Sequence, residues 1–259
     1  MVLISLLFSI LIYDDLGNKL LIRSPPERVV SLSPNLTDFL IYFGLEDKVV
    51  GKTYIDKIKG EDVIVPSGFL SREKILKLNP DIVFAGDINS IEDIEWMKKN
   101  KINVFYIKTE NLIDIINAFI KFGRIFGIEK KAIFKLKGFL DTIYEEKIEF
   151  KGNAMVIIDL KGGIWSCGKN TFVNEILEIS GFKNFTDFFE GYKIVSKEKI
   201  DFEKINYFII SHPDVLNDLK NEDFYKKIKD KIYVMKNYEY FTRPSPFILR
   251  AIKELRKIR

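Results

Sequence analysis

Thr37-Asp-Phe-Leu-Ile-Tyr-Phe-Gly-Leu45 reads as a short helix, and it returns 137 residues later as Asn174-Glu-Ile-Leu-Glu-Ile-Ser-Gly-Phe182. In the first copy Phe39, Leu40 and Phe43 supply the apolar face, and Gly44 is a good stop. A second pair comes next in the same order. Ser71-Arg-Glu-Lys-Ile75 matches Ser196-Lys-Glu-Lys-Ile200 at an offset of 125. Seven residues after each comes an apolar strand, Ile82 to Ala85 in one half and Tyr207 to Ile210 in the other. Two ordered matches, each with its strand, make the chain an internal repeat of one supersecondary plan.

Outward from these anchors, strands alternate with helices. Arg28 to Ser33, Val49-Val50, Asp81 to Ala85 and Val104 to Ile107 read as strands, with helices over Thr37 to Gly44, Ser71 to Leu78 and Ile91 to Lys99. The alternation restarts at Ala154 to Leu160 and continues through helices over Thr171 to Ile179 and Ser196 to Phe202. The strands Tyr207 to Ile210 and Ile232 to Met235 come after, then a last helix over Pro246 to Ile258. Strand–helix alternation implies parallel sheets. Between the halves, Leu112 to Glu146 is helical almost throughout, broken near Phe126-Gly127; its second piece, Glu129 to Glu146, would span roughly 27 Å at 1.5 Å per residue. The expected architecture is therefore α/β: two Rossmann-like lobes joined by a single long rigid helix, with a ligand cleft between them. The boundaries are a signal-like apolar segment over 1–12, an N-terminal lobe over 13–125, the connecting helix over 126–150 and a C-terminal lobe over 151–259.

Composition narrows the function. Of 259 residues, 47% are hydrophobic and 30% charged, which excludes a disordered chain. Forty-one basic against 37 acidic residues leave a net charge of +4, too balanced for a nucleic-acid binder. One Cys and one His exclude an intrachain disulfide and a Cys/His zinc site. The absence of glutamine and the wealth of Lys, Glu and Ile fit a thermophile, or an AT-rich genome. The longest uncharged apolar run, Val2 to Tyr13, is too short for the roughly 20 residues of a membrane-spanning helix. Met1 to Ile12 reads as the core of a secretory signal lacking its basic flank, the alternative being a buried first strand. No Cys comes after it to carry a lipid. Ile12 to Ile22, with Asp-Asp-Leu-Gly-Asn in its middle, reads as a hairpin.

Several residues could carry chemistry. Gly163 to Lys169 has the spacing of a phosphate-cradling loop, but Asn170 stands where Ser or Thr must hold magnesium, so a plain Gly-rich turn into the next helix is the reading adopted. His212 comes just after a strand and could face a ligand, or be a solvated loop residue; no Gly-x-Ser-x-Gly elbow accompanies it. Glu73 and Glu198 occupy matching places in the repeat, each two residues after a serine. They read either as acids favoured in a first helical turn or as paired surface acids meeting basic residues of another protein. Tyr54, Phe69, Trp165, Tyr192, Tyr238, Tyr240 and Phe241 fall outside the apolar periods and could offer flat stacking surfaces, and Arg243 could pair with a carboxylate or phosphate.

Arg28-Val-Val-Ser-Leu-Ser-Pro-Asn-Leu-Thr-Asp38, Leu45-Glu-Asp-Lys-Val-Val-Gly51, Glu73-Lys-Ile-Leu-Lys-Leu-Asn-Pro-Asp-Ile-Val83 and Arg243-Pro-Ser-Pro246 resemble the extracytoplasmic substrate-binding proteins of ABC importers for cobalamin, ferric siderophores and haem. The resemblance runs from about Ile12 to the C-terminus. It implies a monomeric solute-binding protein rather than an enzyme, located in the periplasm or on the outer face of the cytoplasmic membrane. It also implies a permease dimer with ATPase subunits as partner, a small metal chelate containing cobalt or iron as cargo, no resident cofactor and no nucleic acid. Glu73 and Glu198 fill the places of the family's docking acids. Trp165, Tyr192, Glu239 and Arg243 fall where cobalamin binders line their pocket. Asn35, Tyr54 and Phe69 are expected to approach the same pocket from the first lobe, and Tyr240 from the second. Ser67 and Gly86 stand where the enterobacterial cobalamin binder has tryptophan. A cobalamin-like corrinoid is the favoured cargo. A ferric siderophore or haem is the alternative, with Tyr54 or His212 able to reach an iron centre. An α/β enzyme using the cleft and a cytoplasmic regulatory domain of the same fold are the remaining readings.

Overall fold

The computed structural model describes residues 9–64, 69–144 and 148–258. Most of the signal-like segment, Ser67 and the end of the expected connecting helix lie outside these residues. The described chain divides into two compact units. The first is Met1–Thr109 with Ile113–Gly138, the second Glu110–Leu112 with Phe139–Arg259.

The first unit opens on a hairpin, β1 (Ile10–Tyr13) and β2 (Lys19–Ile22), paired antiparallel with Leu11 opposite Leu21. The last three residues of the expected 1–12 segment thus belong to this hairpin. Its turn clasps the edge of the main sheet: Asp15 N donates to Tyr106 O at 3.1 Å, Tyr106 N to Asp14 Oδ2 at 3.3 Å and Lys108 N to Asp15 Oδ2 at 2.9 Å. Covering an edge in this way removes a template for unwanted strand pairing. The sheet itself is built from β3 (Val29–Ser31), β4 (Val49–Thr53), β5 (Glu61–Ile64), β6 (Ile82–Ala85) and β7 (Val104–Tyr106). It is parallel throughout, in the order β5-β4-β3-β6-β7.

The crossovers carry α1 (Pro34–Phe43), α2 (Arg72–Leu78) and α3 (Ile91–Lys99), and α4 (Leu112–Ile125) and α5 (Glu129–Ile143) come next. Pro34 starts α1 where its missing N–H costs nothing, and Gly44 ends it in the left-handed region at φ 68°. Phe39, Phe84, Phe122 and Phe126 stack across α1, β6 and the end of α4, with ring centroids 4.8–6.3 Å apart. At Gly123 an added Cβ would stand 2.6 Å from Ala132 Cβ, so α4 and α5 cross with no room for a side chain.

The second unit repeats the plan. Its parallel sheet contains β8 (Gly152–Ile157), β10 (Phe182–Asn184), β12 (Tyr207–Ile210) and β13 (Ile232–Val234), in the order β10-β8-β12-β13. Strand β8 takes the place of β3, with β10 for β4, β12 for β6 and β13 for β7. The helix aligned with α1 is α6 (Phe172–Glu178), leading into β10 as α1 leads into β4. A separate antiparallel ribbon of β9 (Ile164–Cys167) and β11 (Tyr192–Val195) is added. The remaining helices are α7 (Pro213–Leu219), α8 (Tyr225–Ile228), α9 (Tyr238–Phe241) and α10 (Ile248–Leu255). The core gathers Met155, Ile157, Phe208, Ile210, Leu219 and Ile228.

Three expectations change. The stretch between the halves is two helices with the expected break at Gly127, but the changeover between compact units falls at Gly138–Phe139, inside α5 and not at its start. The end of α5 is anchored within the second unit by Arg256, whose guanidinium donates to Thr142 O at 2.7 Å and Ile143 O at 2.8 Å. Ser196 to Phe202 holds only a single 3-10 turn, Lys197–Lys199, and a second begins at Phe202. Finally, neither Ser71 nor Ser196 makes a side-chain cap. The helix-end explanation of Glu198 therefore lacks a helix, and that of Glu73 lacks its cap.

Candidate functional site

Ligands in open parallel α/β sheets bind beyond the carboxyl ends of the strands, and each unit presents apolar side chains to solvent there.

In the first unit, β4 runs into a tight turn held by Asp56, which is buried: Thr53 N and Thr53 Oγ1 donate to its Oδ2 at 3.1 and 2.8 Å. That turn pushes Tyr54 and Ile55 into solvent, each nearly half exposed. After β6, Asp87 accepts from Tyr106 OH at 2.8 Å and from Thr109 N at 3.0 Å, fixing the loop that presents Ile88. Phe69 and Ile88, 74% and 71% exposed, flank a hollow of about 450 Å³ whose polar side is formed by Arg72, Glu92 and Asp93. Large apolar groups this open at the functional end of a sheet are informative.

Asn35 does not join them. Pro34 begins α1 directly after the strand, so Asn35 turns inward and is buried. Its Nδ2 donates to Thr109 Oγ1 at 2.7 Å and its Oδ1 accepts from Ser33 Oγ. Gly86 is tightly packed: a Cβ there would meet Ile107 O at 3.3 Å and Leu36 Cδ1 at 3.4 Å, so a side chain would need its neighbours to give by a few tenths of an ångström. Ile88, two residues on, offers the exposed surface instead.

In the second unit the ribbon does the presenting. Trp165 N donates to Asp159 O, and Ile158 N to Trp165 O, both at 2.9 Å, so the indole stands at the carboxyl end of β8. Alternation along the strands puts Trp165 and Cys167 of β9 on the same face as Ile194 and Tyr192 of β11. Trp165 is opposite Ile194, and Tyr192 opposite Cys167. Cys167 is fully buried beneath, while Ile194 and Tyr192 are 49% and 42% exposed. The result is an apolar shelf of Trp165, Ile194 and Tyr192. Ile194 was not singled out in the sequence, since its neighbours Lys193 and Val195 conceal the alternation until the partner strand is known.

A buried polar network locks the shelf in place. Asn184 Nδ2 donates to Cys167 O at 2.9 Å and Asn174 Oδ1 at 2.8 Å, and Thr186 Oγ1 donates to Cys167 O at 2.7 Å. Burial pushes the Cys167 thiol up to about 12 and raises the Tyr192 phenol well above its ordinary value, so both stay neutral under ordinary conditions. The glycines of Gly163 to Lys169 serve this ribbon rather than a phosphate. A Cβ on Gly163 would strike Ile194 at 2.5 Å, and one on Gly168 would strike Phe189 O at 2.2 Å.

His212 is the N-cap of α7: its Nδ1 accepts from Asp214 N at 3.1 Å. Its ring packs edge-on to Tyr238 at 4.3 Å. No group of three or more metal-binding side chains occurs among the described residues.

Residue Tyr238 begins α9, which also carries Glu239 and Tyr240; Glu239 and, just beyond, Arg243 are half-buried. Tyr240 faces α10 instead of a free surface, because Arg250 Nη1 donates to its hydroxyl at 2.9 Å and lies 4.7 Å over its ring. Glu254 pins the approach to α9. Its carboxylate accepts from Tyr233 OH at 3.0 Å, Lys236 N at 2.6 Å and Asn237 N at 2.8 Å. Glu73 and Glu198 are exposed and have no hydrogen-bond or ion-pair partner among the described residues.

The chain is similar to substrate-binding proteins of ABC transporters and to other periplasmic solute-binding proteins. No family model matches. An uncharacterized ABC transporter substrate-binding lipoprotein of Bacillus subtilis, YvrC, is 29% identical over 188 residues, covering 66% of this chain and 59% of that relative. A vitamin B12-binding protein of Vibrio parahaemolyticus is 24% identical over 254 residues, 90% of this chain and 89% of its own. Among solved structures, a possible iron-binding periplasmic protein of Staphylococcus epidermidis matches with a TM-score of 0.75 at 25% identity, over 90% of this chain and 98% of that one. The vitamin B12-binding BtuF of Vibrio cholerae matches at 0.73 and 19%, over 90% and 96%. The haem-binding RhuT of Roseiflexus matches at 0.75 and 17%, over 89% and 96%. The homologues and structural neighbours are thus ABC transporter substrate-binding proteins, solute binders and not enzymes. The parallel α/β architecture is that of periplasmic binding proteins.

Proposed function

We propose that this chain is the solute-binding component of an ABC importer, acting outside the cytoplasm and handing a large, flat metal chelate to a membrane permease with its ATPase subunits. A cobalamin-like corrinoid is the favoured cargo. The observation that carries this reading is the shelf of Trp165, Ile194 and Tyr192, with exposed Phe69 and Ile88 at the corresponding end of the other unit. Apolar and aromatic faces of this kind suit a macrocycle with little net charge near its ring. Alignment with vitamin B12-binding proteins over nine-tenths of the chain supports the same choice. No helix among the described residues is long and apolar enough to cross a membrane.

A ferric chelate or haem is the second reading, favoured by the exposed Tyr54 phenol at the end of β4, an oxygen donor suited to iron. Cyanocobalamin, haemin and a ferric hydroxamate separate the two when titrated against Trp165 fluorescence. Saturable quenching by cyanocobalamin alone is the expected result. Quenching by haemin or hydroxamate alone, with loss of binding in Tyr54→Phe, would move the assignment to iron. No binding of any of the three would reject a metal-chelate cargo.

A further inference from the structure

We propose that Arg72 and Lys197 are positioning residues for Glu73 and Glu198, each locked in an equivalent clamp that leaves the neighbouring acid unneutralised and free to meet a cationic partner surface. The inference rests on the reading of these two acids as permease-docking residues and adds the device that presents them.

In both units the acid sits between two cations, Arg72-Glu73-Lys74 and Lys197-Glu198-Lys199. A free cation next in sequence would tend to pair with the acid and blunt it. The preceding cation is instead turned away, by the same three kinds of contact in each unit. Arg72 donates from Nη2 and Nε to Asp93 Oδ1 at 2.9 and 3.2 Å and from Nη2 to Glu92 Oε1 at 3.0 Å, and its guanidinium lies 5.1 Å from the Trp96 ring centre. Lys197 Nζ lies 2.7 Å from Glu222 Oε2 and 3.1 Å from Asp223 Oδ1, and 5.2 Å from the Phe224 ring centre. Two consecutive acids and one aromatic ring hold each cation.

The two acid pairs also occupy equivalent places in the repeat. Glu92-Asp93 lies in the crossover from β6 to β7, and Glu222-Asp223 in the crossover from β12 to β13. Local backbone does not explain the likeness. Glu73 is in a helix and Glu198 in a 3-10 turn; Glu92-Asp93 opens α3, while Glu222-Asp223 lies between α7 and α8. Nor does stability explain it, because the clamps are exposed, with the Arg72 and Lys197 side chains 40% and 44% open, and surface ion pairs contribute little to folding. The carboxylates hold both cations above their ordinary pKa. One difference remains. Lys74 is also held, by Asp62 O at 2.9 Å, whereas Lys199 has no partner among the described residues. Glu73 is therefore the better-presented acid of the two.

The test measures binding of the chain to the partner permease–ATPase complex in nanodiscs, by fluorescence anisotropy, with thermal unfolding of each variant alongside. Glu92→Gln and Asp93→Asn with Glu222→Gln and Asp223→Asn release both cations to pair with Glu73 and Glu198 and should weaken docking about tenfold at nearly unchanged melting temperature. Adding Arg72→Gln with Lys197→Gln to that variant should restore docking, whereas the same two substitutions in the parent, whose cations are already held away, should leave it within about twofold. Long-range charge alone would make the glutamine pair tighten docking equally in both backgrounds. Docking of the released variant within about twofold of the parent, or no recovery on adding the glutamine pair, overturns the clamp while leaving the docking acids in place. Wild-type docking of Glu73→Lys with Glu198→Lys overturns the docking reading itself, and the clamp with it.

Discussion

Tyr192 stands 42% exposed on the β9–β11 ribbon, opposite Cys167. Its pattern marks an aromatic outside the apolar periods; its strand partner Cys167 and the network beneath make it one end of a rigid shelf. If the shelf stacks on the cargo, Tyr192→Ala should weaken binding by about 1–3 kcal/mol, the range for an aromatic anchor. Ile194→Ala should cost less, and Tyr240→Ala little, since Tyr240 is held by Arg250. Isothermal titration with cyanocobalamin measures all three, and equal affinities would remove the shelf from the site. Buried neutral groups also set a pH dependence. The Cys167 thiol is pushed from 9.0 up to about 12 by burial, and the Tyr233 phenol from 10.0 up to about 12 by burial and its bond to Glu254. A folded pKa above the unfolded one means the folded chain binds more protons there. The associated stability is complete below about pH 9 and is lost as pH rises toward about 12. Urea unfolding at increasing pH should therefore show stability falling from about pH 9, and Cys167→Ala should delay the onset toward about pH 10, where Tyr233 takes over.

Elements were legible where one signal controlled them. Helix α1 has a 3.6-period face and a glycine stop, and strands β6 and β12 are short apolar runs. Pairing with a distant partner hid the others. Strands β9 and β11 are half-polar and sit among glycines, so only their mutual register makes them strands. Helix α7 was hidden because its cap is His212, an unusual residue there, with Pro213 at the first position. The start of α1 was hidden too: Pro34 opens the helix three residues before Thr37, and its first turn is buried, Asn35 included. The break between α4 and α5 was visible at Gly127, which adopts φ 65°. The reason for Gly123 was not, because it is a contact across the break. Gly123→Leu should force the helices apart and cost about 1–3 kcal/mol, as overpacking does. Gly44→Ala should cost about 1–2 kcal/mol through its left-handed backbone alone. Chemical denaturation of both variants checks the order, and a neutral Gly123→Leu would mean that the crossing of α4 on α5 is slack.

At the level of the molecule, the repeat that opens the sequence is also the repeat of the fold. Four strands of each parallel sheet share one order, and each unit carries an exposed glutamate, Glu73 or Glu198, with no partner among the described residues, at a matching point of the chain. A permease made of two related subunits could take one acid each. Rim charges of this kind steer encounter and fix register more than they supply affinity, and their effect is screened by salt. Reversing both to lysine should therefore abolish uptake into vesicles carrying the partner importer. Binding of cyanocobalamin in solution should survive, because neither residue lies on the aromatic shelf. Reversing Glu46 and Glu203, two other exposed acids, shifts net charge by the same amount and should leave uptake near normal. Wild-type uptake should itself decline as ionic strength rises, since the contacts at issue are exposed. Equal loss in both double variants would assign the effect to overall charge. Loss of cyanocobalamin binding in the first, with an unchanged melting temperature, would place Glu73 and Glu198 at the cargo instead of the permease.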